Sequence, residues 1–100
     1  KACQQCCFFK NDYIFVCGGT SDGRTRFKTS CIYDFNTNNW KYVKDMHYKR
    51  CGAAILYDDM CDRIIVAGGY GDKTEIIDKT IEYYDISKNI WIDMPNTNNN

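Results

Sequence analysis

A single pattern of residues occurs twice in this chain, about 50 positions apart. In each copy an apolar run ends in a glycine pair, a polar loop follows, and a β-prone run then carries a tyrosine that is separated by six residues from a tryptophan. The equivalent positions are Gly18, Gly19, Tyr33 and Trp40 in the first copy, and Gly68, Gly69, Tyr84 and Trp91 in the second. Because the spacing drifts by only one residue, the chain is predicted to contain one structural unit twice.

Each copy divides into four β-prone runs joined by short polar turns. The predicted strands cover residues 3–9, 13–17, 30–35 and 40–44, and then 51–57, 63–67, 80–84 and 90–93. Met94 follows Trp91 so closely that the last strand is expected to be shortened or to end differently. No window has helical periodicity with caps. We therefore predict an all-β fold with two units, residues 1–50 and residues 51–100, the second of which has an Asn-rich end.

The glycine pairs are interpreted as sites of close packing. Glycine permits positive φ and lets a neighbouring ring lie against bare main chain, and the repeated tyrosines and tryptophans are expected to supply those rings. A phosphate-binding loop is not supported, because the chain lacks both the Gly-x-x-x-x-Gly-Lys-Ser/Thr pattern and a following helix.

Charge and apolar content exclude several classes of partner. The formal net charge is zero, which argues against a general nucleic-acid binder. No stretch approaches the roughly 20 apolar residues that span a bilayer, so no membrane partner is predicted. Of the seven cysteines, an odd number, most lie inside predicted strands, where a reduced thiol behaves as a small apolar group. This usage predicts a reducing, cytoplasmic location.

No cofactor, metal or catalytic residue is predicted. Cys3, Cys6 and Cys7 have the spacing of half a zinc site, but a strand would turn Cys3 and Cys6 to opposite sides. His47 is the single histidine and is interpreted as isolated. A Cys–His nucleophile would need a cysteine beside that histidine and a third group to orient it, and nothing in the spacing supports this arrangement.

The repeated glycine, tyrosine and tryptophan positions resemble the Kelch repeat family over essentially the whole chain. That resemblance implies that each unit forms a four-stranded antiparallel blade of a β-propeller. Two blades cannot close a ring, since propellers use four to eight. Other blades must come from the same chain or from another copy, and we expect a longer chain, because a solitary pair would expose two apolar sheet faces. One departure is Cys31, which stands where the second unit has Glu82.

Within the family, two segments look most like the BTB–Kelch adaptors. They are Gly68-Gly69-Tyr70-Gly71-Asp72 and Met46 followed by Arg50-Cys51-Gly52. The chain is rich in Asn, Ile, Lys, Tyr and Asp, a usage that resembles poxvirus Kelch-like proteins and some protozoan ones. The resemblance to the BTB–Kelch adaptors implies a non-enzymatic protein-interaction module that recognises substrates for a cullin-type ubiquitin ligase. The alternatives are a cytoskeletal or scaffold Kelch protein that binds actin or other partners and, more remotely, a fragment of a Kelch-type copper oxidase, which would need more histidine ligands than one.

A partner surface is predicted at one end of the blades. In a four-stranded meander the loops after the second and fourth strands share one end, where residues 20–29, 46–51 and 70–79 carry a formal charge of +3. The turns at the other end, residues 10–12, 34–39, 58–63 and 85–89, carry −3. The basic end would steer acidic segments of a protein partner.

The resemblance places one arginine of the basic end in the substrate pocket of the family. That residue is Arg50, whose guanidinium can grip a carboxylate with two bonds. The other candidate partner-binding residues are Arg24, Arg26, Tyr48 and Tyr70. The alternative for the exposed loop charges is simple solvation of a turn. Glu82 matches a family position and is expected to be structural.

Overall fold

Two sheets, one from each copy of the pattern, make up the computed structural model, which describes residues 4–21, 25–71 and 80–95. Within these residues there are eight strands of five residues each. They are β1 Gln5–Phe9, β2 Tyr13–Cys17, β3 Ser30–Asp34, β4 Asn39–Val43, β5 Ala54–Asp58, β6 Arg63–Ala67, β7 Ile81–Asp85 and β8 Ile90–Met94. Each sheet is an antiparallel meander, in the order β1-β2-β3-β4 or β5-β6-β7-β8. The predicted all-β fold with two four-stranded blades is confirmed.

The largest departure from the predicted strand bounds is at the start of β5, and most of the other bounds agree within one residue. β5 begins at Ala54 rather than at residue 51, because Cys51 forms an isolated bridge with Tyr70 instead of joining the sheet. The expectation of a shortened last strand is wrong. β8 is as long as β4 and pairs with β7 along its whole length, so that Met94 lies opposite Ile81. The predicted division between residues 50 and 51 falls in the connector that joins β4 to β5.

The repeated tyrosine closes the hairpin that leads to the tryptophan strand. The Tyr33 hydroxyl donates to Oδ1 of Asn38 at 2.9 Å, and the Tyr84 hydroxyl donates to Oδ1 of Asn89 at 2.6 Å. Both asparagines have positive φ, which asparagine tolerates better than most side chains. This hairpin explains the constant spacing, because the turn must be complete before the chain returns to place Trp40 or Trp91 opposite the tyrosine.

Aromatic rings form the core between the two sheets. Phe15, at the centre of the first sheet, is fully buried, and its ring centroid lies 5.4 Å from that of Tyr84 and 5.9 Å from that of Trp91. Edge-to-face and tilted rings at these distances contribute beyond their buried area. The second sheet therefore packs its repeated tyrosine and tryptophan against the first sheet.

On its other face the first sheet presents the equivalent tyrosine and tryptophan, Tyr33 and Trp40. Among the described residues, no sheet packs against them. Tyr33 and Trp40 keep the tilted pairing, with centroids 5.0 Å apart, but Trp40 is 58% exposed. Phe8 and Tyr42 are also largely exposed on this face. Residues that are paired across neighbouring strands point to the same face of the sheet, so these side chains lie side by side and form an open apolar surface. This agrees with the expectation that two blades alone leave apolar faces uncovered.

The close approach at the glycine pairs is made by main chain and by the side chains of Gln5 and Ala53, not by a ring. A Cβ on Gly18 would lie 2.3 Å from the carbonyl oxygen of Arg50 and 2.6 Å from the side-chain nitrogen of Gln5. Gly19 N donates to the same Arg50 carbonyl at 2.7 Å. At Gly69 the nearest atoms belong to Cys51 and Ala53. The prediction that tyrosine or tryptophan rings pack on these two glycines is therefore wrong, because the β4–β5 connector occupies that space.

Substitution of Gly18 by alanine should cost more stability than the same change at Gly52. Both glycines have φ near +70°, so each alanine carries the left-handed penalty of about 1–2 kcal/mol. Only Gly18→Ala also drives a Cβ into main chain, since Gly52 has open space around that position. We expect Gly18→Ala to lose at least about 2 kcal/mol more than Gly52→Ala in urea unfolding. Equal losses would contradict the steric account.

Candidate functional site

The loops that follow the second and fourth strands of the first sheet meet at one end of the molecule. Met46 N donates to the carbonyl of Lys28 at 2.8 Å, and Arg50 N donates to that of Phe27 at 3.1 Å. Cys51 and Tyr70 exchange two backbone hydrogen bonds of 2.9 Å, which adds the start of the β6–β7 loop. We call this end the loop face, consisting of described residues 20–21, 25–29, 44–53 and 70–71. The predicted shared end is confirmed for these residues.

The connector of residues 44–53 is fastened to both sheets. Trp91 Nε1 donates to the carbonyl of Lys44 at 2.7 Å, and Lys44 N donates to Oδ1 of Asn89 at 3.2 Å. Further along, Ala53 N donates to Oε1 of the buried Gln5 at 3.2 Å. The repeat tryptophan therefore has two functions, because its ring fills the core and its indole N–H holds the connector.

A fully buried ion pair lies under the loop face. Arg50 Nε donates to Oε2 of Glu82 at 3.1 Å, and both side chains have no exposed surface. Arg50 Nη1 donates to the carbonyls of Gly68 and Thr80 at 2.7 and 3.3 Å. Nη2 is buried and has no hydrogen-bond partner among the described residues. A buried charge needs a counter-charge and hydrogen bonds. Arg50 finds them on β7 and at the second glycine pair, so these contacts join the connector to both.

The five predicted partner-binding residues have different environments. Arg50 is enclosed, and its Cζ lies 5.3 Å from the ring centroid of the half-buried Tyr48. Arg26 is half-buried and bridges Thr20 within the β2–β3 loop. Tyr70 is 73% exposed. Arg24 lies outside the described residues, as do residues 72–79, so the +3 charge of this end stays a prediction. Partner binding by all five residues also stays a prediction, and the contact seen for Arg50 is with Glu82.

Two functional candidates, His47 and Asp93, were missed from the sequence. The interpretation of His47 as isolated is wrong, because its Nδ1 lies 2.7 Å from Oδ1 of Asp93 and 3.7 Å from Oε1 of Glu82. His47 N also donates to that Glu82 oxygen at 2.8 Å. The available signal was a departure between the two copies, because Asp93 and Glu82 stand where the first copy has Tyr42 and Cys31. Their proximity to the histidine depends on how the connector crosses the sheet.

Two thiols of the first sheet, Cys7 and Cys17, are poor candidates for nucleophiles. Burial raises the pKa of Cys17 to about 12 and that of Cys7 to about 11, so both thiols remain protonated near neutral pH. No disulfide joins the six cysteines of the described segments, and Cys6 and Cys61 are exposed.

Comparison with known proteins identifies the family. The sequence model of the Kelch motif matches residues 2–47 and 60–98, which is most of the chain. This chain belongs to the Kelch repeat family. Repeats of this family generally serve as protein-interaction modules, and the two sheets are Kelch blades of β-propeller type.

Relatives from a nematode and a plant share the repeats. The Kelch repeat-containing protein kel-10 of Caenorhabditis elegans is 33% identical over 78 residues, which cover 78% of this chain and 13% of that protein. A Kelch repeat and BTB domain-containing protein of the same species is 31% identical over 78% of this chain and 13% of its own length. An F-box/kelch-repeat protein of Arabidopsis thaliana is 30% identical over 82% of this chain and 19% of its own length.

This Kelch chain therefore spans less than a fifth of each of these relatives. Among the described residues, no helix is long and apolar enough to cross a membrane. The resemblance to poxvirus proteins stays a prediction.

Loss of one partner of the buried ion pair should be strongly destabilising. Glu82→Gln leaves the guanidinium of Arg50 uncompensated, and we expect a loss of about 3–5 kcal/mol in the free energy of unfolding. The double variant Arg50→Met/Glu82→Leu should lose less than the sum of the two single changes, since no unpaired charge remains. Chemical denaturation followed by tryptophan fluorescence measures both.

The matched control is Asp58→Asn, which breaks the Asp58–Arg63 pair at 2.9 Å on the partly exposed β5–β6 hairpin. That pair is screened by solvent, so its loss should be much smaller. A similar loss in Glu82→Gln and Asp58→Asn would show that burial of the Arg50–Glu82 pair does not determine its importance.

Proposed function

We propose that this Kelch chain is the partner-recognition part of a larger adaptor protein and that it binds a protein partner on the loop face. The observation that carries the proposal is Tyr70, which is 73% exposed although its backbone is fixed by two hydrogen bonds to Cys51. Tyrosine is enriched among the residues that dominate binding energy, and a fixed backbone lowers the entropy that is lost on association.

The charges of the loop face favour an acidic partner. Outside the buried pair, its described residues carry four cations against one carboxylate, Asp45. The cations are Arg26, Lys28, Lys44 and Lys49. The four hairpin turns at the other end, all within the described residues, carry a formal charge of −3. Such a two-ended charge distribution would orient an acidic segment toward the loop face before contact, an effect that weakens with ionic strength.

Arg50 supports this surface from below. Its carbonyl receives Gly19 N, its amide donates to Phe27, and its side chain reaches Gly68 and Glu82. The arginine therefore links three loops at a buried point, so that Tyr48 and Tyr70 are presented from a rigid base. We propose that the unpartnered Nη2 of Arg50 gains an acidic partner group if Tyr48 moves aside.

We further propose that the larger protein is a substrate adaptor of a cullin-type ubiquitin ligase. The name of one nematode relative joins Kelch repeats to a BTB domain, and the name of the plant relative joins them to an F-box. These names support a division of labour in which the Kelch blades recognise a partner and a separate domain binds the rest of the assembly. The resemblance to BTB–Kelch adaptors is the reason for proposing that this assembly is a ubiquitin ligase.

Binding to an array of synthetic acidic peptides, measured by fluorescence polarisation, tests the surface. We expect Tyr70→Ala to weaken the best-binding peptides at least about tenfold, as loss of an aromatic anchor does. Lys49→Glu should also weaken the binding of these peptides, and its effect should be larger at low salt than at high salt. Met60→Ala is the matched control, because Met60 is 93% exposed in the turn at the other end. Equal effects of Tyr70→Ala and Met60→Ala would reject the loop face.

Association with a ligase is tested separately. The protein that carries this chain should co-purify with a cullin from cells, and Tyr70→Ala should leave that association unchanged while it reduces captured substrate. Co-sedimentation with actin filaments in the absence of any cullin would instead favour the scaffold alternative.

A further inference from the structure

Three potential metal ligands meet where the connector crosses the second sheet. His47 comes from the connector, Glu82 from β7 and Asp93 from β8, and one ligand atom of each lies within 4.8 Å of the other two. We propose that these residues bind a divalent transition-metal ion, with Zn²⁺ as the best-suited ion. One imidazole nitrogen and two carboxylate oxygens are a ligand set that zinc accepts, with a fourth position left for water.

Two of the three separations between ligand atoms lie near the value for a zinc site, and the third, between a Glu82 and an Asp93 oxygen, is within 4.8 Å. Zinc bonds of about 2.0–2.1 Å in a tetrahedral arrangement separate neighbouring ligand atoms by about 3.3 Å. His47 Nδ1 lies 2.7 Å from the Asp93 oxygen and 3.7 Å from the Glu82 oxygen. To bind the ion, the separation between His47 and Asp93 must lengthen and the separation between His47 and Glu82 must shorten, each by roughly half an ångström. Asp93 is 55% exposed at its side chain and can make this movement without disturbing the core.

Glu82 provides the fixed element of the site. Its side chain is fully buried, with Oε2 held by Arg50 Nε and Oε1 held by His47 N. A carboxylate oxygen has two lone pairs, so Oε1 can accept the backbone hydrogen bond and still bind an ion. Because buried hydrogen bonds already orient this ligand, it loses little freedom on binding. Such support of a ligand by neighbouring groups is what metal sites need.

The remaining two ligands leave the site accessible. His47 is 43% exposed and Asp93 slightly more than half, so an ion can reach the site from the solvent. The short His47–Asp93 contact requires a proton between the nitrogen and the oxygen, and the ion would take the place of that proton. Asp93 also supplies negative charge to the site, whereas Glu82 shares its charge with Arg50.

The identity of the ligands disfavours Ca²⁺ and Mg²⁺. Those ions prefer shells of six or more oxygens, whereas imidazole suits zinc and its transition-metal neighbours. The cluster is also not a general part of the repeat, because the first copy has Cys31 and Tyr42 at the equivalent sheet positions. A bound ion would tie the connector to β7 and β8 directly beside the loop face.

Isothermal titration with Zn²⁺ tests the site in a protein whose Cys3, Cys6 and Cys61 are replaced by serine to remove competing thiols. We expect one ion per chain at pH 7. Asp93→Asn and His47→Gln should each weaken the binding at least about tenfold. Asp45→Asn, a change at an exposed carboxylate of the same connector, should leave it unchanged.

A Co²⁺ spectrum of the same protein identifies the ligands. Nitrogen and oxygen ligands should give d–d bands without the near-ultraviolet charge-transfer band of a cobalt thiolate. A thiolate band would assign the ion to the remaining cysteines and overturn the proposal. It would also be overturned by the absence of binding, or by binding that Asp93→Asn and His47→Gln do not weaken. Because both side chains are partly exposed, circular dichroism should show folded variants.

Discussion

The arrangement of this Kelch pair depends on one buried ion pair, Arg50 with Glu82. Two charges without exposed surface are costly unless each is matched, and here the guanidinium also donates to the carbonyls of Gly68 and Thr80. The pair therefore accepts only one position of the connector relative to the second sheet. Apolar packing between sheets is tolerant of sliding, whereas hydrogen-bonded charges are directional. We infer that the ion pair sets the register between the two blades.

The aromatic residues supply the packing that the ion pair orients. Phe15 receives Tyr84 and Trp91 from the following sheet, and the Trp91 indole binds the connector at Lys44. The opposite face of the first sheet presents Tyr33 and Trp40 outward. In a repeat architecture each unit buries its neighbour's face, so one residue type is core in one copy and exposed in the other.

This construction separates stability from recognition. The hairpin turns at one end are closed by side chains of their own strands, such as Tyr84 with Asn89. At the other end the loops are held from below by Arg50 and by backbone bonds of Gly19 and Cys51, which leaves Tyr70 exposed. Loops on a rigid scaffold are where binding residues concentrate. The proposed metal ligands lie at the border, because His47 belongs to the loop face and Asp93 to the sheet.

Most of the fold follows from the order of residues alone. The two copies of the glycine, tyrosine and tryptophan pattern predict eight strands, two meanders and the family, because alternation and turn chemistry are local properties. The structural role expected for Glu82 is implied by the resemblance to the Kelch family. By contrast, local rules do not indicate that Gly18 meets the carbonyl of Arg50 rather than a ring, or that β5 starts after Cys51.

The contacts of His47 and the burial of Arg50 likewise depend on packing between sheets. His47 and Asp93 are 46 residues apart in the chain, and nothing near either residue specifies the other. Their meeting requires the connector to cross β7 and β8 at one height, which the buried ion pair and the Trp91 bond impose. Strands and turns are determined by neighbouring residues, whereas charge pairing between distant segments exists only after the sheets have packed.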